Sequence, residues 1–114
     1  MSIKYECLNI GSKQPEMLAK YYEAIGIPLY FPFGCYDGFH IGSEKEGYVC
    51  VWDENKWGKS TAGYVTLVFK VDDLQKTYES LIEKGISATP PQTTAWGGVE
   101  LLLEDPDGNK IILL

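Results

Sequence analysis

Apolar and polar residues alternate or cluster along this chain with two distinct periods, and their order repeats. Residues 3–10 read as a strand, which Gly11-Ser12 breaks. Leu18, Tyr21, Tyr22 and Ile25 then recur at helical spacing, giving one apolar face to a helix expected over residues 15–25. Pro15 suits its first turn and Gly26 suits the position after its end. Three short strands are expected next, over 29–33, 38–41 and 48–53, joined by turns at 34–37 and 42–47.

The second half runs through the same order. Residues 64–71 form a strand, Asp72 or Asp73 caps a helix, and Leu74, Tyr78, Leu81 and Ile82 give that helix its buried face. Gly85 ends it, and strands are expected over 87–89, 99–103 and 110–113. Ile10-Gly11-Ser12 matches Val71-Asp72-Asp73, and Ile25-Gly26-Ile27 matches Lys84-Gly85-Ile86. The chain therefore reads as a degenerate repeat of two βαβββ modules, about 1–56 and 63–114, in a single domain of 114 residues, with residues 56–63 as linker.

The closing segment carries the strongest local signal. Asp105-Pro106-Asp107-Gly108 stands between Leu101-Leu102-Leu103 and Ile111-Ile112-Leu113, so the chain ends in a β-hairpin: Pro sets φ, Asp bonds its own backbone, and Gly accepts positive φ. This hairpin, with the paired modules before it, resembles the vicinal oxygen chelate superfamily of glyoxalase I, bleomycin-resistance proteins and extradiol dioxygenases. The resemblance covers nearly the whole chain and is tightest over residues 64–114. It implies an α+β fold in which two βαβββ modules form a cupped mixed sheet with the helices packed outside. A ferredoxin-like arrangement is the runner-up, but it needs a helix before the last strand, and residues 90–98 show no helical pattern.

Strand parity sorts the two faces. Val65, Leu67, Phe69 and Val71 are consistently apolar and belong under the helix, so Tyr64, Thr66, Val68 and Lys70 face the cup. Likewise Leu8 and Ile10 go under the first helix, while Tyr5, Cys7 and Asn9 face inward. Tyr48, Cys50 and Trp52 form one set, and Lys110, Ile112 and Leu114 share the cup side.

The metal enzymes of the superfamily draw one ligand from the first strand and one from the last strand of each module. Carried over, those positions hold Tyr5, a residue near Trp52, Thr66 and Ile112, where the last usually is acidic. A divalent ion needs lone pairs at about 2.0–2.3 Å. Tyrosine, threonine, tryptophan and isoleucine supply them poorly or not at all, although a small shift of register would bring Asp53 or Glu54 near the second place. The expectation is no metal, no cofactor and no catalytic residue, with Thr66 and Ile112 packing the cup and counted, with Cys7, among the residues a ligand held in it would touch. Tyr5 and Trp52 are open to two readings, cup packing or contact with a bound organic molecule.

Other residues also carry two readings. His40, the only histidine, is a base or ligand, or else a strand histidine satisfied by its backbone surroundings, the plainer reading. Cys7 and Cys50 share the cup side, which leaves room for an unusual Cys₂His site with His40; Cys35 sits in a turn with no activating neighbour. Aromatic residues crowd positions 30–57. Phe31, Phe33 and Phe39 are expected in packing, whereas Tyr36, Tyr48, Trp52 and Trp57 are candidates for ligand contact, with Trp96 at the rim. Glu104, Asp105 and Asp107 are read as turn and solvent residues, and Glu100 faces either a cationic ligand or solvent.

Composition narrows the function classes. A net charge of −6 disfavours nucleic acid and anionic membranes; it mildly favours a cationic ligand, with solubility alone the plainer reading of the acidic balance. Three cysteines without metal spacing point to a reducing compartment, and no long apolar stretch is present, so a cytoplasmic protein is expected. No Ser-His-Asp set, phosphate-binding loop or dinucleotide fingerprint occurs. The resemblance then implies a homodimeric, metal-free small-molecule binding protein of the bleomycin-resistance kind, sequestering a cationic or aromatic compound. The alternative is a metal-dependent lyase or dioxygenase with displaced ligands, and a third is a partner module without a small ligand.

Overall fold

The computed structural model describes residues 2–30, 38–43 and 45–114. Two compact units appear, Met1–Ala62 and Gly63–Leu114.

The first unit contains β1 (Cys7–Ser12), α1 (Pro15–Ala24), β2 (Leu29–Tyr30), β3 (Gly38–Ser43), β4 (Gly47–Asp53) and the short α2 (Glu54–Trp57). Its sheet order is β1-β4-β3-β2, with β1 parallel to β4 and the other pairs antiparallel. The second unit contains β5 (Thr66–Phe69), α3 (Leu74–Glu83), β6 (Gln92–Thr93), β7 (Val99–Glu104) and β8 (Lys110–Leu113). Its order, β5-β8-β7-β6 with β5 parallel to β8, is the same. Two mixed sheets with one long helix each give the α+β fold of paired βαβββ modules.

Both long helices stop in the same way. Gly26 has φ of 113°, its N–H donates to the Glu23 carbonyl, and the Ile27 N–H reaches back to Tyr22. Gly85, at φ 78°, donates to Ile82, and Ile86 reaches back to Leu81. These paired bonds form a Schellman motif in each unit, placed by a glycine that accepts the left-handed conformation. At the N-termini the two helices differ. Asp73 caps α3 by accepting from the Lys76 N–H at 3.0 Å, whereas α1 begins at Pro15 without a side-chain cap.

Parity places most of the core, although Leu8, expected under α1 with Ile10, is 38% exposed near the start of β1. Ile10, Ile41 and Val51 pack with Leu18, Ala19 and Tyr22 of α1, all essentially inaccessible. In the second unit Leu67, Leu101, Leu103, Ile111 and Leu113 are buried with Leu81.

Several sequence expectations shift. The strand expected over 29–33 is Leu29–Tyr30; residues 31–37, with Phe31, Phe33, Cys35, Tyr36 and the expected turn, lie outside the described residues. Tyr21 and Ile25 are only half-buried, while Ala19 joins the core instead. Ile82 is 47% exposed and belongs to the solvent side of α3. Residues 54–57, expected to lead into a linker, form α2: Asp53 accepts from the Asn55 N–H at 3.0 Å and Gly58 closes the turn at φ 83°.

The strand expected over 87–89 is displaced to Gln92–Thr93. Pro90 and Pro91 have no N–H to give a ladder. Pairing therefore skips them: the Thr89 N–H donates to Leu102, and the Thr89 hydroxyl accepts the Leu102 N–H at 3.0 Å. Asp105, expected in solvent, is 4% exposed. Its carboxylate accepts from the N–H groups of Asp107 and Asn109 at 2.9 Å each and from the Asn109 amide at 3.0 Å. The Asn109 Oδ1 in turn accepts from Gly63 and Val65. A buried polar group costs stability unless its bonds are made, and here the hairpin turn makes them.

Candidate functional site

In the second unit the sheet face opposite α3 bounds a concavity of about 680 Å³. Two cross-strand rungs run along this face. Val68, Ile112 and Leu102 are successive register partners across β5, β8 and β7, and so are Thr66, Lys110 and Glu104. Glu100 lies two residues along β7 from Leu102, on the same face, and Ser87, Ala88 and Thr89 form one wall. The Lys110 ammonium bonds Glu104 Oε1 at 2.8 Å. Glu100 has no ion pair among the described residues, so the concavity carries one uncompensated negative charge over an apolar floor.

Three of the ten ligand-contact candidates from the sequence, Thr66, Glu100 and Ile112, come together here. Leu102, Thr89 and Lys110 also line it. Parity had already set Lys110 on this side, and the same alternation from Glu100 points to Leu102.

In the first unit a second set shares the sheet face away from α1. Cys7 pairs in register with Tyr48, Asn9 with Cys50, and Cys50 with His40 on the other side. The Cys50 thiol donates to Cys7 Sγ at 3.9 Å, and the Cys7 thiol points to Asn9 Oδ1 at 3.7 Å. His40 stacks on Tyr48 with ring centroids 4.7 Å apart, and burial pushes its pKa below the ordinary 6.5. Trp52 is half-buried, and its Nε1 has no hydrogen-bond partner among the described residues.

The remaining candidates are placed elsewhere. Tyr5 precedes β1, is 68% exposed, and lays its ring against Gly47, where a Cβ would come within 2.5 Å of it. Trp57, on α2, lies beside Gly11 with the Lys59 ammonium 5.8 Å above its ring. Trp96 folds over Gly98 and is 69% exposed, outside the concavity. Tyr36 lies outside the described residues.

The residues at the superfamily's metal positions do not fit a divalent ion. Tyr5 is engaged with Gly47, Trp52 offers a donor rather than a lone pair, Thr66 a hydroxyl, and Ile112 a hydrocarbon. Asp53, next to Trp52, is committed to capping α2. Among the described residues no group of three His, Cys, Asp or Glu side chains is disposed to hold a metal ion, so His40 does not complete a ligand set with Cys7 and Cys50.

The sequence from residue 10 to 113 matches the family model described as Glyoxalase/Bleomycin resistance protein/Dioxygenase superfamily. The chain belongs to that superfamily. Solved structures show the same fold across nearly all of the chain. An antibiotic-binding protein, TnmS3 from Streptomyces sp. CB03234, is 24% identical with a TM-score of 0.76, covering 99% of this chain and 96% of that one. A bleomycin-binding protein in complex with bleomycin is 21% identical with a TM-score of 0.71, covering 97% of each chain. A virulence protein from Salmonella typhimurium, STM3117, is 18% identical with a TM-score of 0.76, covering 99% and 96%. No curated protein matches the chain. As a superfamily member it shares the paired-module fold, and among the described residues no helix is long and apolar enough to cross a membrane.

Proposed function

We propose that this superfamily member is a binding protein that sequesters a small cationic or aromatic compound in a site without a metal ion, making and breaking no bond. The observation that carries this reading is the charge pattern of the second sheet's concavity. Its floor of Leu102 and Ile112 offers apolar contact, Glu104 is neutralised by Lys110, and Glu100 alone is left to meet a positive charge. Apolar burial supplies affinity at about 25 cal/mol per Å² removed from water. A carboxylate in a partly desolvated wall adds selection for a cation. The fold shared with TnmS3 and the bleomycin-binding protein supports the same class of ligand. The chain works in this reading as a cytoplasmic homodimer with two equivalent sites.

The test is a tryptophan-fluorescence titration with bleomycin, a panel of smaller cationic aromatics, and neutral aromatics of similar size. Saturable binding is expected, with the compound recovered chemically unchanged. Glu100→Gln should weaken the cations by about tenfold, equivalent to about 1.4 kcal/mol, and leave the neutral compounds untouched. Turnover of a bound compound, or cation binding indifferent to Glu100→Gln, would defeat the proposal.

A further inference from the structure

Cys7 and Cys50 are not disulfide-bonded, yet their sulfurs lie 3.9 Å apart on one face of the first sheet. This arrangement belongs to the other unit and does not rest on the proposed function. We infer that Cys7 and Cys50 form a dithiolate site for a soft, low-coordinate d¹⁰ metal ion, with Cu(I) the ion that fits best.

Three features support the assignment. The first is the separation of the sulfurs. With metal–sulfur bonds of about 2.3 Å, a 3.9 Å sulfur pair subtends an angle of about 116° at the ion, between tetrahedral and trigonal. The second is the strand register. Asn9 is the partner of Cys50, so Cys7 stands diagonally across from Cys50. Two residues of rise, about 6.6 Å, across strands about 4.8 Å apart put diagonal Cα atoms of a parallel pair about 8 Å apart, beyond the roughly 7 Å that an unstrained disulfide tolerates. A bridging ion spans this gap, whereas a direct sulfur–sulfur bond requires the strands to shift.

The third feature is the donor set. Soft thiolates select Cu(I) over hard ions. Because no third His, Cys, Asp or Glu converges among the described residues, the four-donor cage that structural zinc requires is missing. A three-coordinate ion needs only one further ligand. The Asn9 Oδ1, 3.7 Å from Cys7 Sγ, stands beside the place where that ligand enters. Access comes from the Cys7 side, which is half-exposed, while Cys50 is only 4% exposed and holds its sulfur out of water. Binding replaces two S–H bonds by two S–Cu bonds. It releases two protons to solvent and leaves a complex of net charge −1, with no change in oxidation state.

The experiment is a Cu(I) titration of the reduced chain without oxygen, against a competing Cu(I) chelator, followed by thiolate-to-copper charge-transfer absorption and by thiol counting. One ion per chain and two protected thiols are expected. Cys7→Ser and Cys50→Ser should each lose more than the roughly 10–100-fold that removal of an outer-shell partner costs, Asn9→Ala about tenfold, and Cys35→Ser nothing. Cys7→Ser keeps the test decisive if the buried Cys50 variant fails to fold. Wild-type affinity in Cys7→Ser overturns the site, as does copper uptake that follows Cys35. A Cys7–Cys50 disulfide formed by mild peroxide in a chain that retains no copper overturns it in favour of a redox pair.

Discussion

Asp105 shows how one side chain organises the closing hairpin. It is buried and accepts three hydrogen bonds, two from backbone N–H groups and one from the Asn109 amide, while Asn109 passes the tie to Gly63 and Val65. Asp105→Ala leaves those donors without a carboxylate in a site closed to water. The expected loss is about 2–4 kcal/mol, read as a lower denaturant midpoint at unchanged slope, and a loss below about 0.5 kcal/mol would contradict this role. The sequence made the turn legible, since Asp-Pro-Asp-Gly has few other uses, but it did not make the burial legible. A turn aspartate usually faces solvent, and only the fold of Gly63–Val65 back onto Asn109 closes the site. The same limit applies to Tyr5. Its place in the repeat was readable, but its engagement with Gly47 depends on where β1 begins.

At the level of elements, period and punctuation carried the reading. Glycines 26 and 85 ended both helices as expected because the left-handed position after a helix is costly for any residue with a Cβ. Gly85→Ala should therefore destabilise the chain by about 1 kcal/mol, with Gly85→Asn costing less, because asparagine tolerates the left-handed region; thermal unfolding of the two variants gives the comparison. Equal losses would mean that the Ile86 bond to Leu81, rather than backbone conformation, sets the cost. Alternation alone places Thr66, Lys110 and Ile112 on one side of the second sheet, and the strand register agrees. The second strand of that module lies at Gln92–Thr93 instead of 87–89, because Pro90 and Pro91 have no N–H to give a ladder. The aromatic cluster was the least legible part. Which ring packs against which neighbour depends on side-chain direction in loops, and Trp57 and Trp96 both fold onto glycines rather than line the concavity.

For the whole molecule, what each unit leaves uncovered matters more than what it buries. Each sheet has one face closed by its helix. On the second unit Tyr64, just before β5, is 91% exposed, and Val68 and Leu102, on the face away from α3, are exposed as well. Single exposed apolar residues are ordinary, but several on one unit are the kind of area that pairing of two copies, as in the proposed homodimer, would cover. With a net charge of −6, copies of this chain repel at long range, so association has to be driven by such apolar area and strengthened by salt screening. Light scattering at rising concentration should give twice the 12.8 kDa chain mass, held or tightened at higher ionic strength. Tyr64→Glu should shift the equilibrium toward the single chain without unfolding it, because its ring contributes nothing to the core. A single-chain mass at all concentrations and salt strengths would remove the homodimer, while leaving the Glu100 concavity to be tested on its own.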